Sequence, residues 1–102
     1  MSDIKSMLQN RNVTIDGRRT SLRLEEDVWD AFEEICDREN LSVHELCTLI
    51  DHNRYNSSRT AAVRAFILSY FRNAATDSGH LEAGHGGLSE RLTRRGGLRA
   101  SA

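Results

Sequence analysis

From Arg18 to Leu24 the chain alternates residue by residue. Thr20, Leu22 and Leu24 fall on one face, and Arg19, Ser21 and Arg23 on the other. A period of two predicts a half-buried strand. Upstream, Val13-Thr14-Ile15 also favours extended structure, and the intervening Asp16-Gly17 is a type I′ turn signal. Two readings of the residues before Gly17 stay open: an outer hairpin strand beginning near Arg11, or a disordered or loosely docked arm.

At Glu25 the period changes. Val28, Trp29, Phe32, Ile35 and Cys36 recur at three and four, and Asp30, Glu33, Glu34 and Asp37 cover the opposite side. This predicts an amphipathic helix from Glu25 to about Asn40, with Glu25, Glu26 and Asp27 complementing its dipole. A second, short helix follows. Ser42 and Glu45 fit a capping box, Leu41 and Leu46 its hydrophobic staple, and Val43, Leu46, Cys47 and Ile50 form the apolar face. It should stop between Asp51 and Arg54. After the polar break Tyr55-Asn56-Ser57-Ser58, a third helix runs from about Arg59 to Arg72. Its apolar residues go almost all the way round, so it needs cover on every side. One strand and two short helices cannot supply that, whereas a second subunit can. Beyond Asn73 the chain is rich in Gly, Ser and charge, and lacks the apolar residues to offset its ordering entropy. The reading therefore divides the chain into an arm or outer strand (1–16), a dimerisation and binding domain (17–73) and a disordered tail (74–102).

Composition narrows the setting. There is no proline and no apolar run near the ~20 residues that span a bilayer. The opening residues, MSDIKSMLQNRNV, lack a secretory pattern. A cytoplasmic protein is expected, with Cys36 and Cys47 as reduced, buried thiols.

The net charge of -1 conceals a layout. Residues 1–24 carry five bases and two acids, residues 25–51 ten acids and one base, and residues 52–72 four bases and no acid. On this layout a polyanion would bind the first and third segments and be repelled by the middle one.

A polar-alternating strand, an amphipathic helix, a break and a fully apolar helix opened by serines: this order resembles the ribbon-helix-helix family. The resemblance spans about Gly17 to Arg72 and rests on R-R-T-S-L-R-L-E and S-S-R-T-A-A-V-R-A-F-I-L-S-Y-F. It implies a mostly helical fold with one short strand per subunit, built as an intertwined dimer. Strands of two subunits would pair into an antiparallel ribbon that enters the DNA major groove. The last helix would pack in the dimer core with its N-terminus on a phosphate. Leu41 to Tyr55 adds a helical segment that the common form lacks, as in a bacterial subgroup with a longer connection.

The chemistry suits these roles. Only alternate strand residues point into a groove, and Arg19, Ser21 and Arg23 meet that spacing. Arginine can bond guanine O6 and N7 together, and serine can bond several base edges. The same side chains would also serve simply to solvate an exposed strand. Ser57, Ser58 and Arg59 at a helix N-terminus, together with Arg18, are expected to hold phosphate; helix capping uses the same serine groups. Leu22, Leu24, Trp29, Phe32, Val63, Phe66, Ile67 and Tyr70 are the expected dimer core.

His44-x-x-Cys47, with Cys36 and His52, is a weak metal pattern, and no metal or other cofactor is expected. No catalytic motif is present. The leading expectation is therefore a homodimeric regulator of double-stranded DNA, acting as a repressor and lacking an effector module. An antitoxin-like or adaptor protein, binding a protein partner through its tail or acidic face, is the alternative. A pure protein-interaction module gains weight if residues 11–15 pair beside the ribbon, because the widened sheet would sit poorly in the groove.

Overall fold

The computed structural model describes residues 7–84. Two strands come first, β1 (Leu8–Ile15) and β2 (Arg18–Glu25), followed by α1 (Glu26–Glu39), α2 (Val43–His52), α3 (Arg59–Ala74) and α4 (Asp77–Glu82). The chain divides into two compact units between Tyr70 and Phe71, within α3.

Of the two readings left open by the sequence, the hairpin is the one that forms. The single strand expected per subunit is thus β2, the second strand of a hairpin. β1 and β2 are antiparallel, with Ile15 opposite Arg18, Val13 opposite Thr20 and Leu8 opposite Glu25. Asp16 (φ 53°) and Gly17 (φ 79°) both lie in the left-handed region, as a type I′ turn requires. The strand begins at Leu8, three residues before the expected start.

The inner face of the hairpin enters the core. Val13, Ile15, Leu22 and Leu24 are buried together with Trp29, Phe32, Ile35 and Cys36 of α1, Leu46, Cys47 and Ile50 of α2, and Val63 of α3. Trp29 ties α1 to β1. Its indole N–H donates to the Gln9 carbonyl at 3.0 Å, and the Arg11 guanidinium lies 4.6 Å from the centre of its ring. The helix ends at Asn40, whose left-handed conformation (φ 58°) closes the C-terminus. At α2 the expected capping box is present in both directions, Ser42 accepting from the Glu45 N–H and Glu45 from the Ser42 N–H. Burial pushes the Cys47 thiol up to about 12, with Cys36 and Asp51 acting in the same direction. Burial also raises the Cys36 thiol.

In the segment expected to be disordered, Asp77–Glu82 instead forms a single short helix. Thr76 caps it by accepting the Gly79 N–H at 3.0 Å. A lone capping threonine without an apolar stripe behind it is too small a signal to read. The remainder of the expected tail, from residue 85, lies outside the described residues, as do residues 1–6 of the expected arm.

The turn provides a direct test of the hairpin. Nothing lies within 4 Å of a Cβ placed on Gly17, so Gly17→Ala should cost backbone strain alone. A destabilisation of about 1 kcal/mol is expected, measured as a lower urea midpoint.

Candidate nucleic-acid interface

The outer face of the hairpin is polar. Arg19, Ser21 and Arg23 are all exposed there, as the alternation predicts. The register sets Thr14 opposite Arg19, Asn12 opposite Ser21 and Asn10 opposite Arg23, so β1 adds two exposed asparagines to the same surface. Sequence reading missed them because β1 does not alternate cleanly. Its inner positions include Gln9 and Arg11, and its outer face begins with Leu8, which is exposed. Counting back from the Asp-Gly turn was the available signal.

The two edges of this hairpin differ. Along the outer edge of β1, α2 presents His44, Thr48 and His52, spaced four residues apart on one side of the helix. The Thr14 N–H donates to His44 Nδ1 at 2.9 Å, and the Asp16 N–H donates to Thr48 Oγ1 at 3.4 Å. His52 Nε2 lies 2.8 Å from both Asp16 carboxylate oxygens. The extra helix therefore covers an exposed sheet edge; of the two histidines weighed as metal ligands, His44 bonds that edge and His52 bonds the Asp16 side chain in the turn. The free edge belongs to β2, since the sheet has only these two strands among the described residues. Because the Thr14 N–H points away from β2, Thr14–Arg19 is a non-hydrogen-bonded pair. By the alternation of antiparallel ladders, so are Asn12–Ser21 and Asn10–Arg23. The N–H and C=O groups of Arg19, Ser21 and Arg23 thus face the open edge, while their side chains occupy the outer face.

Charge pairing separates the arginines. Arg11 bonds Glu33, Arg38 bonds Glu34 at 2.9 Å and Arg64 bonds Glu25 at 2.8 Å. Arg54 and Arg59 share the Asp51 carboxylate at 3.0 and 2.8 Å. Arg18, Arg19 and Arg23, all on β2, have no ion-pair partner among the described residues. The expectation that the third segment offers free positive charge is corrected in part: Arg64 is paired one to one with Glu25, while Arg54 and Arg59 share the single Asp51 carboxylate, which offsets one of their two charges.

The start of α3 is a closed local arrangement. Ser58 Oγ accepts the Ala61 N–H at 3.1 Å, which makes Ser58 the helix cap. The Ser57 carbonyl accepts from Arg54 Nη1 at 2.9 Å. Ser57, Ser58 and Arg59 are exposed, but the Arg59 guanidinium already faces a carboxylate.

Of the expected dimer core, Leu22, Leu24, Trp29, Phe32 and Val63 are buried within a single chain. Phe66, Ile67 and Tyr70 stay half-buried on α3, where Leu68 is 62% exposed and Val63 alone is buried. An open apolar groove beside the helix is lined by Leu46, Leu49, Ile50, Tyr55, Phe66 and Tyr70, among others. The Tyr70 hydroxyl donates to Glu39 at 2.7 Å, and that bond raises its pKa.

Comparison with known proteins agrees with this fold. A family model described as ribbon-helix-helix domain matches residues 8–71, including β1. In fold, the chain is similar to a solved structure of an uncharacterized protein from Bordetella pertussis Tohama I. The TM-score is 0.58 at 24% identity, over 99% of this chain and 70% of that one. No curated protein matches the chain in sequence.

The tie between β2 and α3 can be followed by pH. The hydrogen bond from Arg64, and then a backbone hydrogen bond, hold the Glu25 carboxyl below its ordinary value of 4.5. A carboxyl depressed in the folded state stabilises the fold above its unfolded pKa, and that contribution disappears as pH falls through the folded value. In Arg64→Ala, Glu25 should titrate closer to 4.5, and the acid loss of stability should be shallower. Carboxyl NMR and urea midpoints between about pH 3 and 6 test both statements.

Proposed function

Because this chain belongs to the ribbon-helix-helix family of DNA-binding regulators, we propose that it binds double-stranded DNA as a homodimer, through the outer face of β2. The observation that carries this reading is the set of free arginines. Of the nine described arginines, five are held by carboxylates of the same chain, and three of the other four lie on β2. Arg19 and Arg23 would read guanine edges, with Ser21 between them, and Arg18 would meet phosphate. Ser57, Ser58 and Arg59 would hold a second phosphate only if Arg59 exchanged Asp51 for it.

Two features support the homodimer. The free edge of β2 can pair with its copy across a two-fold axis, and the apolar surface left on α3 is what a second α3 would cover. Residues 17–73 then form the dimerisation and DNA-binding domain, residues 8–15 flank it as an outer strand, and residues 74–102 remain available to a protein partner. No described helix is long and apolar enough to cross a membrane, in keeping with a cytoplasmic site of action. A repressor suits a domain without an effector module. The protein would work by binding, without catalysis or a cofactor.

One observation favours a second reading. With β1 beside β2, the dimer sheet has four strands. At ~4.8 Å per strand its outer members are about 14 Å apart, against a major groove about 12 Å wide. A sheet that wide also suits a protein surface, which would make the molecule an adaptor.

Fluorescence anisotropy on duplexes selected from fragmented genomic DNA distinguishes the two. The wild type should bind with an affinity that falls steeply with salt. Arg19→Ala/Arg23→Ala should remain folded and lose at least tenfold discrimination, since one bidentate contact is worth about 1–3 kcal/mol. Equal behaviour of the two proteins, or no binding at low salt, would overturn the DNA reading in favour of the adaptor.

A further inference from the structure

The width of the sheet has a consequence for the outer strand. With the two-fold axis between the β2 strands, β2 lies about 2.4 Å from it and β1 about 7.2 Å. Half the major groove is about 6 Å. The inner strands therefore face the floor of the groove, and the outer strands lie over its walls, which are sugar and phosphate.

The two exposed polar side chains that β1 sets beside Ser21 and Arg23 are Asn12 and Asn10. Neither has a hydrogen-bond partner among the described residues. Each carries an amide with two N–H donors, and a phosphate oxygen only accepts. The site where such a fold would ordinarily hold phosphate, the start of α3, has its arginine engaged by Asp51 at 2.8 Å and its capping serine by Ala61.

Resting on the DNA reading above, we infer that Asn10 and Asn12 bond the phosphates along both walls of the groove, fixing the position of the sheet while the longer Arg19 and Arg23 side chains reach the bases. The asparagines hold position and carry no sequence information. β1 is thus part of the binding surface, and the sheet rests across the groove instead of dropping into it.

The test uses the full chain on two duplexes, one selected site and one of mixed sequence. Asn10→Ala/Asn12→Ala should weaken both complexes by the same factor, roughly thirtyfold or more, since four hydrogen bonds are lost per dimer. Its salt dependence should stay at the wild-type slope, because no charge is removed. Asn12→Lys should strengthen both complexes and steepen the slope by nearly two per dimer, one new phosphate contact from each subunit. That combined pattern supports the inference. A change of sequence preference in the alanine variant would overturn it by showing that the asparagines read bases. Unchanged affinity in both variants would overturn it by showing that β1 stays clear of the DNA. If the wild type itself binds neither duplex, the DNA reading fails first and this inference with it.

Discussion

A hairpin leaves two rows of unpaired backbone groups, and each row must meet a partner or water. In this protein the two rows are treated in opposite ways. α2 closes the β1 edge with His44 and Thr48 and fastens the turn with His52 on Asp16. Among the described residues the β2 edge stays open. From that asymmetry follow the direction in which a second subunit can add, the face left outward and the width of the assembled sheet. The helix that looks like an insertion in the sequence is what makes the hairpin one-sided.

Charge is sorted with the same economy. Along the sequence the middle third looks like an acidic block that would repel DNA. In space three of its ten acids lie against arginines of the flanking segments, Glu33 on Arg11, Glu25 on Arg64 and Asp51 on both Arg54 and Arg59. Exposed pairs of this kind add little stability individually. Their larger effect is on the distribution of potential, because three of the four described arginines without an ion-pair partner lie on β2.

Much of this was legible in the residues. The alternation of Arg18 to Leu24, the α1 stripe, the Ser42–Glu45 capping box and the serine-led α3 each carry a local signal, and their order carried the family resemblance. What could not be read was long-range. Asp-Gly specified a turn but not whether β1 would pair, because Gln9 and Arg11 occupy inner positions where apolar residues were expected. Arg11 belongs there only because Trp29 offers it a ring face and Glu33 a carboxylate, both far along the chain in α1. Arg59 looked free for the same reason, since its partner Asp51 sits in a different helix. The roles of Asn10 and Asn12 depend on register, which no single residue of β1 announces.

The hairpin is anchored through its inner face, its turn, the backbone of β1 and the Glu25 carboxylate at the end of β2. Among the described residues, the side chains of Asn10, Asn12, Arg19, Ser21 and Arg23 are exposed and make no hydrogen bond or ion pair. Substitution at these five positions is therefore nearly uncoupled from stability, and related proteins could diverge in what they recognise while keeping the same scaffold. A redesign of specificity could begin at those sites without compensating changes in the core.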